Sequence, residues 1–316
     1  MNPAFSVIFL TTLIGVGQGL FLALYAAELG AAFGWIAVPH AQRFFAAGSA
    51  LSLAFLAAGL LASFFHLGHP ERAWRSAAMW RTSWLSREVI ALPLFMAAVA
   101  AYGGAHYLGF GATLLLGSAG VLLCLALFIC TAMIYACLKF LQEWATPLTV
   151  INYVLLGSAS GFSFAAAFAA SAASADHGLV RVLVYAAGML TVSALCTRVA
   201  SLRRNSRLKA KSSLQTAIGI KHPRIVQKAQ GFMGGSFNTR EFFHGKAPRV
   251  LLAVKWGFLA LVFPVPLVLL LAGESLSSAV LLEAAFAIQF LGLIAERWYF
   301  FAQANHPQNL YYQAIS

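Results

Sequence analysis

Eight apolar runs, each long enough to cross a bilayer as a helix, constrain this chain more than any other feature. A spanning helix needs roughly 20 consecutive apolar residues. Runs of that kind lie near Phe5 to Ala27, Phe44 to Phe65, Val89 to Tyr107, Ala112 to Leu138, Leu148 to Ala172, Leu179 to Ala200, Val250 to Leu271 and Ala279 to Phe301. They are continuous and rich in Ala and Leu, whereas barrel strands alternate apolar and polar over about ten residues. The fold class is therefore an all-α integral membrane protein, eight transmembrane helices in a bundle. Its 9% charged residues fall far below the roughly 25% of a soluble domain, and 1–316 forms a single membrane domain. No Lys/Arg-rich segment precedes the first run, which continues past the roughly 7–15 apolar residues of a signal peptide. It is expected to stay as the first helix.

Orientation follows from the cations. With the N-terminus, the 2–3, 4–5 and 6–7 loops and the C-terminus on one side, that side holds 19 of the 21 Lys and Arg, leaving Arg43 and Arg181 opposite. The positive-inside rule makes it the cytoplasmic side, so both termini are expected in the cytoplasm. The loop Ser201 to Arg249 alone has eleven Lys and Arg against Glu241. Two readings stay open for it: topological anchoring with contact to anionic lipid, or a docking surface for an acidic protein, which "GFMGGSFNTREFFHG" favours. Topology accounts for the positive charge without nucleic acid.

Several chemistries lack their residues. Cys124, Cys130, Cys137 and Cys196 all fall in predicted helices with no CxxC pair, so neither an iron–sulfur nor a zinc site is expected, and the four are read as buried small hydrophobes. A b-type haem needs facing intramembrane histidines. Here His66, His106 and His177 sit at or near helix ends, and the other five lie in loops or tails. No HExxH or GxSxG motif is present, which removes the corresponding hydrolase readings.

Ionisable groups at membrane depth are costly and mark function by default. The connection Phe64 to Val89 gathers four arginines, two histidines, two glutamates and three tryptophans. His66 ends helix 2 and Glu88 starts helix 3, so both face the cytoplasmic edge and can share a pocket. The alternative is that they cap helix ends and pair with Arg72 or Arg87. Gln18, within "GVGQGL", is expensive if it faces lipid and useful if it faces a ligand. Gly15 and Gly19 form a small face that lets another helix approach closely. Tyr135 adds a hydroxyl near the same edge, and Trp74, Trp80 and Trp84 suit an interfacial belt or a ligand entrance. Such a set fits a quinone, whose reduction takes two electrons and two protons and needs donors plus a titratable group.

At "HLGHPERAWR" and "TSWLSREV" the chain resembles the dimethyl sulfoxide reductase anchor subunit family, within the wider quinone-reactive anchors that include polysulfide reductase. The resemblance extends over the whole chain, through "GQGLFLALY", the Ser-x-Glu that opens helix 3, and "ERWYFFAQANHPQNLYYQ". It implies an anchor in a bacterial cytoplasmic membrane without haem or other redox cofactor of its own. Through a ferredoxin-like iron–sulfur subunit on the cytoplasmic face, such an anchor holds a molybdopterin catalytic subunit. It also implies electron exchange with ubiquinone or menaquinone, with His66 and Glu88 as the catalytic pair and Gln18, His66, Ser86, Glu88 and Tyr135 as the quinone-binding set. The extended 2–3 connection, the basic 6–7 loop and the "HPQNLYYQ" tail look more like anchors of cytoplasmic sulfite-oxidising molybdoenzymes. Three rivals remain: a quinol-oxidising anchor of the dimethyl sulfoxide type, a structural anchor without a quinone site, and a secondary transporter. Transporters place binding groups at the midplane on broken helices, where this sequence has almost no charge, although Pro264 and Pro266 can break helix 7.

Overall fold

The computed structural model describes residues 1–65, 67–172, 177–228 and 241–311. Among them are eight membrane-length spans: α1 (Phe5–Ala32), α2 (Ala41–Phe64), α3 (Trp84–Leu108), α4 (Thr113–Ala136), α5 (Pro147–Ser171), α6 (His177–Asn205), a seventh span made of α8 (Pro248–Val262) and α9 (Pro264–Ser275), and α10 (Ala279–Ala302). A short α7 (Leu214–Ile218) precedes α8, and 3-10 turns lie at Pro70–Ala77 and Pro307–Tyr311.

Because lipid tails are as apolar as Leu, close packing rather than hydrophobicity drives helices together inside a bilayer. The seam between α1 and α5 shows this most directly. Gly15 and Gly19 of α1 face Gly157 and Gly161 of α5, and a Cβ on Gly19 or Gly161 would overlap the other helix's backbone. The small face seen in the sequence thus meets a matching one. These two helices form the centre, and α1 also packs on α2, α4 and α10.

The seventh span breaks at Phe263, whose φ is −114° and ψ −79°, between α8 and the two prolines that open α9. Pro266 has no N–H to return to the Val262 carbonyl. Gln289 of α10 supplies the missing donor, its Nε2 lying 3.3 Å from that oxygen and 3.2 Å from the Thr191 hydroxyl. Gln289→Leu should therefore cost about 1–3 kcal/mol by orphaning a buried carbonyl. A lowered thermal midpoint in detergent checks this; an unchanged midpoint would show that the break needs no such patch.

Several helix ends differ from the sequence expectation. α3 starts at Trp84 rather than Val89 because Ser83 caps it, its hydroxyl accepting from the Ser86 N–H. α1 runs past Ala27 to Ala32, which brings Glu28 into the helix. There it pairs with His106 of α3 at 3.2 Å, both buried beside Tyr102. Between this far end and Gln18, the side chains of Leu20, Phe21, Leu24, Phe95 and Val99 are wholly buried. The Phe21 ring meets Phe95 and Tyr102 edge-on at 5.4 Å each, so an aromatic layer separates the two polar ends.

Cys124 and Cys130 are buried as expected, but Cys137 and Cys196 are exposed on the outer surface of the bundle. Cys137 falls at the end of α4 rather than inside it, and Cys196 lies on α6.

Candidate functional site

At the end of the bundle that carries the 2–3 connection, α1, α3, α4, α5 and α10 surround a polar cleft. Its free space is about 20 Å³, room for about one water molecule, so a larger occupant enters only if the walls part. Gln18 and Glu88 both line it, together with Thr131, Tyr153, Ser160 and Arg297. Two residues far apart in sequence and singled out for their polarity are thus brought to one space.

Glu88 is buried one turn inside α3, where its Oε1 accepts a hydrogen bond from the Thr131 hydroxyl of α4. The reading in which it pairs with a neighbouring arginine is not met. Arg72 lies 3.7 Å from Glu71. Arg87 stacks on the Trp84 ring at 4.2 Å and donates to the Trp80 and Arg81 carbonyls. Each tryptophan of the 2–3 connection has such an arginine beside it, Arg75 at Trp74 and Arg81 at Trp80. Trp74 and Trp80 are exposed, as an interfacial position requires.

The other expected residues divide. Gln18 lines the cleft while its Nε2 donates to the Cys124 carbonyl at 3.0 Å, tying α1 to α4. Ser86 is buried in the first turn of α3 but off the cleft wall. Tyr135 also lies off the wall, in a layer behind it, stacked on Tyr153 at 5.8 Å. His66 lies outside the described residues.

Arg297 on the cleft wall belongs to a buried charge cluster that the sequence did not single out. Glu296 of α10 sits between two guanidinium groups, with Arg198 Nε 2.7 Å from its Oε1 and Arg297 Nε 3.1 Å from its Oε2. All three are at most 5% exposed, one to two turns inside their helices. The Arg297 guanidinium lies 3.9 Å over the Tyr153 ring, which fixes it on the cleft wall. Adjacent Glu and Arg inside an apolar run were a signal for this site; they had entered only as part of a terminal motif and as topological charge. Thr131 and Tyr153 gave no such signal, since both are common in apolar helices. Among the described residues no group of three or more His, Cys, Asp or Glu could hold a metal ion.

Eight spanning helices with a small cleft lined by charged and polar residues at one end define a multi-pass membrane protein. The family model described as DMSO reductase anchor subunit (DmsC) matches residues 1–223. The chain is also 55% identical to a sulfite dehydrogenase subunit from Allochromatium vinosum over 331 aligned residues, covering all of both chains. The chain belongs to the DMSO reductase anchor subunit family. It is a membrane anchor subunit of an oxidoreductase complex.

Proposed function

We propose that this anchor exchanges electrons between the quinone pool and an iron–sulfur partner, with the quinone headgroup as substrate in the cleft between Glu88 and Arg297. The observation that carries the reading is that a buried carboxylate and a buried guanidinium line the same cleft. A quinone presents two oxygens on opposite edges of a ring. Arg297 is a charged donor for one of them, while Glu88 gives or takes a proton at the other. The Thr131 hydroxyl holds the Glu88 carboxyl in orientation. Gln18, Ser160 and Tyr153 add polar groups to the same walls. His66 belongs to the proposed proton-handling pair by its place in the "HLGHPERAWR" motif.

The likeness to a sulfite dehydrogenase subunit supports flow from sulfite oxidation to quinone, with ubiquinone or menaquinone as acceptor. A molybdopterin subunit would do the oxidation and reach the anchor through a ferredoxin-like iron–sulfur subunit, both on the cytoplasmic face of a bacterial membrane. Residues 201–228 contain eight Lys and Arg and no acid, a charge balance suited to an acidic partner surface. The broken seventh span does not favour transport, because Gln289 occupies the carbonyl that the break sets free.

The test is to tag the chain, extract it in mild detergent, and assay the purified material for partner proteins, molybdenum, iron and quinone. The expected result is a molybdenum and iron–sulfur pair with bound quinone. A chain that comes out alone even after gentle cross-linking would sink the reading.

A further inference from the structure

The reading above makes no use of Arg198 and Glu296, and it leaves a charge imbalance unexplained. A buried pair would suffice to tie α6 to α10, and each added ion costs several kcal/mol to strip of water. Yet Arg297 on the wall and Glu296 and Arg198 beside it make two guanidinium groups and one carboxylate, a net charge of +1. The acid that lines the cleft is Glu88, and among the described residues no ion pair joins it to any of these cations. Its hydrogen-bond partner is Thr131. The surplus positive charge therefore stands at Arg297, which lies over the Tyr153 ring and lines the cleft without a carboxylate of its own beyond Glu296.

We propose that the cleft selects an anionic occupant, the ionised and electron-rich form of a quinone-type ring, with its charged oxygen at Arg297. Glu296 and Arg198 are positioning residues: Glu296 holds the Arg297 Nε so that the guanidinium stays over Tyr153. Arg198 offsets the Glu296 carboxylate, which would otherwise cancel the charge Arg297 offers. This inference rests on the quinone reading of the cleft and adds to it a preference for charge. A quinone gaining electrons builds negative charge on its oxygens before both protons arrive, and a wall of this sign favours that form.

The test uses the purified complex and two rings of nearly the same size, 2-hydroxy-1,4-naphthoquinone, which is ionised at pH 7, and its neutral 2-methoxy ether. Direct binding is measured by equilibrium dialysis. The wild-type complex should hold the hydroxy compound about 10-fold or more tighter than the ether, the scale of a hydrogen bond to a charged group. Arg297→Gln should bring that ratio near one, weakening both probes but the hydroxy compound far more, since its charged bond is lost. Arg297→Lys keeps the charge and should keep most of the ratio, which serves if the glutamine variant fails to assemble. Glu88→Gln removes the opposing acid and should leave the ratio unchanged or larger. Equal binding of the two probes by the wild-type complex overturns the charge preference and leaves the quinone reading standing. Two other results overturn both: no binding of either probe, or binding that neither Glu88→Gln nor Arg297→Gln alters.

Discussion

Glu88→Gln is expected to lower quinone-coupled turnover of the assembled complex about 100-fold or more, the usual contribution of a positioned acid or base. Glutamine keeps the size of the side chain and an oxygen to accept from Thr131, so the variant should fold and keep its partners. It cannot exchange a proton, and a quinone that receives electrons without protons stalls. Oxidation of the partner's substrate with a soluble dye bypasses the membrane and should be unchanged. The contrast between the two assays is therefore the measurement. Quinone-coupled turnover equal to wild type in this variant would remove Glu88 from the reaction. Equal loss in both assays would assign it a structural role instead.

The second large effect is expected at the seam of α1 and α5. Gly161→Leu places a branched side chain where even a Cβ overlaps the Gly19 backbone. Neither helix can yield by rotating one side chain, because the atoms in the way are main chain. Separating the helices would open the cleft, whose walls include Gln18 of α1 and Ser160 of α5. The penalty exceeds the roughly 1–3 kcal/mol of ordinary overpacking, which assumes that neighbours can shift. The expected outcome is loss of the anchor from membranes, read by immunoblot, with the catalytic partners released to the soluble fraction. Gly104→Leu is the control, since a Cβ there meets nothing within 4 Å. Normal accumulation of Gly161→Leu would show that the two helices do not meet in the membrane as described.

The spans were legible in the sequence because a 20-residue apolar run admits few other structures in a bilayer. Their ends were less so, and for a definite reason. Hydropathy falls at Arg87, Glu88 and Glu28, which made the helices seem to stop there. The capping hydroxyl of Ser83 and the burial of Glu28 against His106 decide otherwise. Gln18 and Glu88 stood out as polar residues in or beside apolar runs, and they do line the same cleft. Ser86 was grouped with them through the Ser-x-Glu motif and Tyr135 by its depth near the same edge, but depth along a helix does not fix which face a side chain takes. Arg297 escaped notice because charge near a helix end is usually topological. Only the packing of α10 against α5 brings it onto Tyr153.

The aromatic layer around Phe21 has an electrical consequence. Along α1, Gln18 and Glu28 are about 15 Å apart, roughly half the hydrocarbon thickness, so a charge crossing this stretch would move through a large part of the membrane voltage. Moving one charge through 100 mV costs or yields about 2.3 kcal/mol. On the proposed reading, electrons and protons both reach the quinone from the Glu88 end, and no charge traverses the layer. Such an anchor loads the quinol pool at a rate indifferent to membrane potential and does not itself charge the membrane. The energy of its partner's oxidation is then conserved only by later enzymes that draw on that pool.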